Sequence, residues 1–228
     1  MVDNPPGPPR DLDGPLELDP EAWAPKDVYY LLTGVTVPRP IAWVSTLSAD
    51  GVRNLAPHSF FNAVADDPPT IMFTSEGVKD TVRNIRETGE FVVNFVSLEL
   101  ARQMEMTAVE FPSEEDEFVW AGLDAQPSRR VAPPRVAAAK ASLECRLDRL
   151  VEVGRATRLV LGRVVHFHVA AEVWRDGRVD TVLYRPLCRL SGRYAELGPI
   201  FKLNEPAWDE VRETGVEDAL TLIRKESQ

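Results

Sequence analysis

Positions 41–47, Ile-Ala-Trp-Val-Ser-Thr-Leu, are rich in β-branched and aromatic residues, and Asp50-Gly51 follows as a hairpin turn. The turn predicts a partner strand over 53–64, and Asp67-Pro68-Pro69 breaks the chain before a short buried strand over Thr70–Thr74. Val78, Val82 and Ile85 then recur at spacings of four and three, one face of a helix, with Gly89 placed to stop it. Phe91–Val96 is almost wholly apolar and reads as a central strand; Ser97 suits the cap of a helix containing Leu98, Ala101 and Met104. Residues 107–140, with several prolines and the acidic run Glu114–Glu117, read as a long loop with one embedded strand. A loop of that length is expected to cover something or to meet a partner. Two long strands follow, over 141–153 and 158–173, with a second hairpin signal at Asp176-Gly177 and a last short strand over 189–194. Val216, Leu220 and Ile223 stand at helical spacing and predict a short amphipathic helix at the end.

The first twenty residues hold Pro5, Pro6, Pro8, Pro9, Pro15 and Pro20, which resist helix and sheet alike. They read as an extended arm, either disordered or laid over a neighbouring surface, and the barrel is expected to begin near Val35. The pattern has no internal repeat and no βαβ alternation. Six or more strands with few short helices predict a mainly β protein, a barrel with helical additions. The expected organisation is a Pro-rich arm over 1–20, a barrel domain over 21–204 and an amphipathic helical tail over 205–228.

Hydrophobic residues make up 44% of the 228, enough for a proper core. Lys and Arg number 26 against 36 Asp and Glu, a net charge of −10 that repels phosphate backbones and argues against nucleic acid. Any phosphate bound here needs a local basic cluster. Two cysteines, Cys145 and Cys188, support neither a disulfide framework nor a Cys-type zinc site, and both read as packed thiols. There is no signal-peptide pattern and no apolar run approaching the ~20 residues a membrane helix needs, so a soluble cytoplasmic protein is expected.

Three segments carry polar residues that do not fit an ordinary strand surface: Arg39–Thr46 (RPIAWVST), Asn54–Asn62 (NLAPHSFFN) and Lys79–Ile85 (KDTVRNI). The last opens a helix, where free N–H groups and a nearby lysine favour a phosphate; Lys79, Asp80 and Thr81 stand at that place. Arg39 is a second candidate, because a guanidinium matches phosphate bidentately. Ser45, Thr46, Asn54, Ser59 and Asn62 offer the short donors and acceptors that an isoalloxazine edge requires, and Pro57 in mid-strand would leave backbone groups free to face a ligand. Taken singly, each has a plainer reading: a loop arginine, strand hydroxyls, a helix cap, core aromatics.

Together these segments resemble the FMN-binding split-barrel flavoproteins of the flavin reductase and flavoredoxin-like group. The resemblance extends through Glu117-Phe118 and Ala121-Gly122-Leu123, Leu143-Glu144-Cys145, Gly162–His168 (GRVVHFH) and Arg189–Tyr194 (RLSGRY), covering about residues 29–200. It implies a Greek-key type split β-barrel and a homodimer with FMN near the interface. Carried over by position, Arg39, Ser45, Thr46, Asn54, Ala56, Pro57, Ser59 and Asn62 would frame the ring and ribityl chain, with Lys79, Asp80 and Thr81 near the phosphate end. His58 occupies a variable position of that pattern.

The implied activity is NAD(P)H-dependent flavin reduction, with NADH or NADPH as donor and a monooxygenase or other redox protein as possible recipient. The alternative is a non-enzymatic FMN electron carrier; a resemblance to pyridoxamine-phosphate oxidases fits the first two segments less well. The flavin supplies most of such chemistry, so a dedicated catalytic side chain is not required. His168 is the candidate for a residue beside flavin or nicotinamide, and reads equally well as a partly exposed barrel histidine. His166 and His168 share a strand face at a chelating spacing, but His58 is the sole other histidine and no metal is expected.

Overall fold

Strand β1 (Ala42–Leu47) pairs antiparallel with β2 (Arg53–His58) on one side and with β5 (Glu90–Phe95) on the other. The computed structural model describes residues 14–227, so the expected arm over 1–20 lies largely outside the described residues. With β3 (Phe61–Asp66), β4 (Pro69–Glu76), β6 (Ala141–Val153) and β7 (Thr157–Val169), these strands form one sheet in the order β2-β1-β5-β6-β7-β4-β3. Every pairing in it is antiparallel.

The two edges of this sheet, β2 and β3, are consecutive in the chain, so it must curl to bring them together. Phe60 carbonyl accepts from Thr74 N–H at 2.9 Å, and His58 Nδ1 lies 3.2 Å from the Thr74 carbonyl. These bonds tie the end of β2 to β4 across the seam, and the result is a split β-barrel.

The alternation of side chains gives the barrel two apolar layers. Ala42 and Val44 of β1, Phe73 of β4, Phe91 and Val93 of β5 and Val160 of β7 point inward and form the barrel core. Helix α2 (Asp80–Thr88) plugs one end with Val82 and Ile85, and Gly89, at φ 74°, ends it in the left-handed conformation that suits glycine. Ile41, Trp43 and Leu55 point the other way and meet Leu100, Met104, Phe118 and Val136 in a second cluster. The loop over 107–140 covers this outer layer, as its length suggested. It contains α4 (Glu117–Trp120) and a ladder between Ala125-Gln126 and Arg135-Val136, and α3 (Ala101–Met106) leads into it.

Several elements depart from the sequence pattern. The partner strand expected over 53–64 is two strands, broken at Ser59-Phe60 where the chain crosses the barrel seam. A helix, α1 (Pro25–Val35), precedes the barrel; Pro25 at its first position is a start signal that its mostly exposed apolar residues obscured. Ser97 stands at the N-cap of a 3₁₀ turn, Leu98–Leu100, without a side-chain cap bond. The strand expected over 189–194 is a small hairpin, Cys188-Arg189 against Tyr194-Ala195.

Residues 197–228 separate as a second compact unit. Its helix, α5 (Trp208–Thr214), lies earlier than Val216–Ile223, and Gly215 ends it. Ala219–Leu222 is a 3₁₀ turn, and Phe201–Leu203 pairs with Lys225–Ser227. The apolar spacing in the tail was therefore no helix face: Val216 is 95% exposed.

Candidate functional site

Where β2 leaves the barrel and α2 begins, the surface opens into a cavity of about 930 Å³, within the usual range for a cofactor site. Ala56, Pro57 and Ser59 line it from β2 and the seam; Lys79, Asp80 and Thr81 line it from the start of α2. Asn54 completes the set of expected residues that meet there. Two segments 25 residues apart in sequence thus face one space, because α2 returns over the barrel end beside β2.

Asn54 and Thr81 are fixed rather than free. Asn54 Nδ2 donates to Thr46 Oγ1 at 3.2 Å and to Thr81 Oγ1 at 3.1 Å, and Asn84 Nδ2 donates to the same Thr46 hydroxyl at 3.0 Å. Thr46 is fully buried behind the wall and joins β2 to α2. No side chain caps α2: Lys79 occupies the N-cap position and has no acceptor to offer. The N–H groups of the first turn are left for water or a ligand. Lys79 Nζ is 2.6 Å from Glu110 Oε1, and Arg83 pairs with Asp80 within the helix.

The remaining expected residues lie elsewhere. Ser45 is buried on the opposite face of β1, where its hydroxyl donates to the Pro134 carbonyl at 2.5 Å and accepts from Asn94 at 3.2 Å. It pins the covering loop to the sheet. Arg39 is buried with its guanidinium on the carbonyls of Thr33, Thr36 and Leu190, at 2.9, 2.6 and 3.0 Å. It caps the C-terminal end of α1 and is not in the cavity wall. Asn62 is exposed on β3 and its Oδ1 accepts from Ala63 N–H at 2.9 Å.

His168 is likewise outside the cavity wall. Its Nε2 is 2.5 Å from Oε1 of Glu144, a fully buried carboxylate that also accepts from the N–H groups of Arg129 and Arg130, at 2.7 and 2.5 Å. Burial pushes the Glu144 carboxyl up, but these bonds together outweigh it and hold the pKa below the usual carboxylate value. Burial lowers the pKa of His168, so the pair reads as a neutral imidazole donating to a carboxylate. His166 stacks edge-on against His168 at 4.7 Å between centroids, and no metal-type cluster occurs among the described residues.

Sequence reasoning missed other wall residues. Pro25, Lys26 and Tyr29 of α1 reach the cavity, and the Tyr29 ring stacks on Phe60 at 6.4 Å. His58 lines it with its ring against Phe73, and burial lowers its pKa to about 4. Glu117 of α4 reaches the cavity from the covering loop, 6% exposed, and its Oε2 accepts from Leu55 N–H at 3.0 Å. Burial, aided by the charges of Asp80 and Asp116, raises its pKa to about 7 against the pull of two backbone N–H groups. Glu117-Phe118 was visible as a motif; its membership of this cavity depends on a contact 62 residues away at Leu55.

A family model described as the flavin reductase like domain matches residues 35–197, the barrel and its covering loop. The chain belongs to the flavin reductase-like family. Among solved structures it is similar to nitrilotriacetate monooxygenase component B from Bacillus cereus, at 38% identity and TM-score 0.82, covering 84% of this chain and 100% of that one. It is also similar to the 2-nitrobenzoate 2-nitroreductase NbaA of Pseudomonas fluorescens, at 31% identity and TM-score 0.79, covering 85% and 98%. A protein of Aquifex aeolicus is 43% identical over 73% of this chain and 88% of its own length. The flavin reductase-like fold is therefore this chain's, in a family that binds flavin and has oxidoreductases among its solved structures. No helix among the described residues is long and apolar enough to cross a membrane.

Proposed function

We propose that the chain binds FMN in the cavity between β2 and α2 and acts as an NAD(P)H-dependent flavin reductase. The observation that carries this reading is the uncapped start of α2, whose free N–H groups, Lys79 and Thr81 open into a cofactor-sized space. Those donors suit the phosphate; the backbone of Ala56–Ser59, at the β2 edge of the sheet, suits a ring edge. When bound, the flavin supplies a centre that accepts hydride from a nicotinamide. The chain's own residues bind and orient: Asn54 holds Thr81 in place, and the stacked Tyr29 and Phe60 rings line one side of the cavity. The proposed assembly is a homodimer, supported by the exposure of β3 along residues 62–66, including Val64 at 55%. The similarity to a monooxygenase component B supports an oxygenase as recipient of the reduced flavin.

The purified protein titrated with FMN and FAD should take up FMN. Anaerobic addition of NADH or NADPH should then bleach the flavin's visible absorbance. A protein that takes up neither flavin would overturn the proposal, while a bound flavin that neither nicotinamide reduces would favour the electron-carrier alternative. Lys79→Ala should weaken FMN by about 1.5–3 kcal/mol, the range for a charge-assisted contact, and leave riboflavin nearly unchanged. Equal losses for both ligands would remove Lys79 from the phosphate site.

A further inference from the structure

Four carboxylates line the cavity, Glu76, Asp80, Glu110 and Glu117, with Lys26, Lys79 and Arg83 as its cations. Glu76 is exposed, Asp80 and Glu110 have cation partners, and Glu117 is the buried one. Glu117 enters the wall from the covering loop, a carboxyl with little access to water and no cation bonded to it. Its Oε2 is fixed by Leu55 N–H, and the charges that reach it are mostly of its own sign. From α2 comes Asp80, itself paired with Arg83; from the start of α4 comes Asp116, itself paired with Arg53 of β2. Lys79 and Glu110 face each other further out along the same wall, and His58 on β2 is held neutral by burial. The Arg53, Lys79 and Arg83 cations thus already have carboxylate partners other than Glu117.

We propose that Glu117 contacts an anionic ligand of this cavity as a neutral carboxylic acid, so that binding the phosphate is coupled to one proton held at Glu117. This rests on the placement of the flavin phosphate at the start of α2. The proton comes from solvent and sits on the Glu117 carboxylate; no bond in the ligand changes. Ionised, Glu117 would set a buried, unpaired negative charge in the wall facing phosphate. Protonated, it becomes a hydrogen-bond donor to it. The carboxyl, with a pKa of about 7, lies where the negative charge of a ligand favours its protonated form.

The experiment is a titration of the full chain with FMN and with riboflavin from pH 6.5 to 9, by flavin fluorescence. Calorimetry in buffers of different ionisation enthalpy accompanies it. A monoester phosphate is mostly doubly ionised above its second pKa of about 6, so the ligand itself changes little across this window. FMN affinity should fall roughly tenfold per pH unit above about pH 7.5, with close to one proton taken up per FMN at pH 8. Riboflavin affinity should stay flat. Glu117→Gln, which is uncharged and keeps the shape, should bind FMN at pH 8.5 at least as tightly as the wild type does at pH 7, with no pH slope and no proton uptake.

A wild-type FMN affinity independent of pH without proton uptake would overturn the coupling and leave the flavin site standing. So would a Glu117→Gln slope equal to that of the wild type. Failure of FMN to bind at any pH would overturn the flavin reading, and the coupling with it. The calorimetric proton count needs no variant, so the inference stays testable even if Glu117→Gln folds poorly.

Discussion

Phe91→Ala is expected to lower the unfolding free energy by about 3–5 kcal/mol, measured by urea denaturation, because it empties the middle of the barrel. Phe91 is fully buried and meets Phe73 edge-on at 5.7 Å between ring centroids. Its ring also fills the space above Gly162 of β7: a Cβ built there would stand 2.3 Å from Phe91 Cζ and 2.9 Å from Cε1. The glycine is in the barrel for this close approach, since the ring has no free space to retreat into. Gly162→Ala alone should therefore cost about 1–3 kcal/mol from overpacking. Gly162→Ala combined with Phe91→Leu should cost clearly less than the two single losses added, because the shorter side chain makes room for the methyl. Strict additivity in that cycle would show that the two positions do not share the strain.

Gly162 and Phe91 also illustrate what could be read ahead of the structure. Phe91–Val96 and the two long strands were legible because their apolar runs and turn signals are local, and β-strand periodicity carries through them. The seam was not: Ser59-Phe60 looks like the middle of a strand until the sheet has to close, and closure depends on Thr74, on another strand. Helix α1 was hidden for a different reason. Tyr29, Tyr30, Leu31, Leu32 and Val35 are all largely exposed, so the face expected of a packed helix is absent.

The candidate site divides in the same way. Asn54, Ala56, Pro57, Ser59, Lys79, Asp80 and Thr81 share one cavity wall because β2 and the start of α2 each present several residues in a row to it. Ser45 and Thr46 have the same residue types but hold the covering loop and α2 in place, and chemistry alone does not tell such a hydroxyl from one that faces a ligand. Arg39 shows the limit most plainly. Its guanidinium is spent on three carbonyls that only the docking of α1 and the 189–194 hairpin brings to it. Glu117 and His58 were passed over because burial, which gives both their shifted pKa values, has no signature in one sequence.

His58 gives the second large effect, a loss of stability in mild acid. Its Nδ1 faces the Thr74 carbonyl at 3.2 Å and so carries the proton, which leaves Nε2 as a buried lone pair with no partner. Protonating Nε2 would place a charge against Phe73 with no acceptor, and Lys79 adds repulsion. Burial is the dominant cause of a folded-state pKa of about 4, against about 6.5 in an unfolded chain. Above pH 6.5 both states are neutral and His58 contributes no pH dependence. Between 6.5 and 4 the unfolded chain binds a proton that the folded one refuses, so stability falls as the pH is lowered. The loss should approach about 3 kcal/mol near pH 4, where it levels off for this group. His58→Phe keeps a ring against Phe73 but has nothing to protonate. It should be less stable than the wild type at pH 7.5, having lost the bond to Thr74, yet show a markedly flatter profile from pH 6.5 to 4. Parallel profiles for the two proteins would assign the acid sensitivity to other groups, with the Glu144–His168 pair next, since both of its pKa values are also lowered.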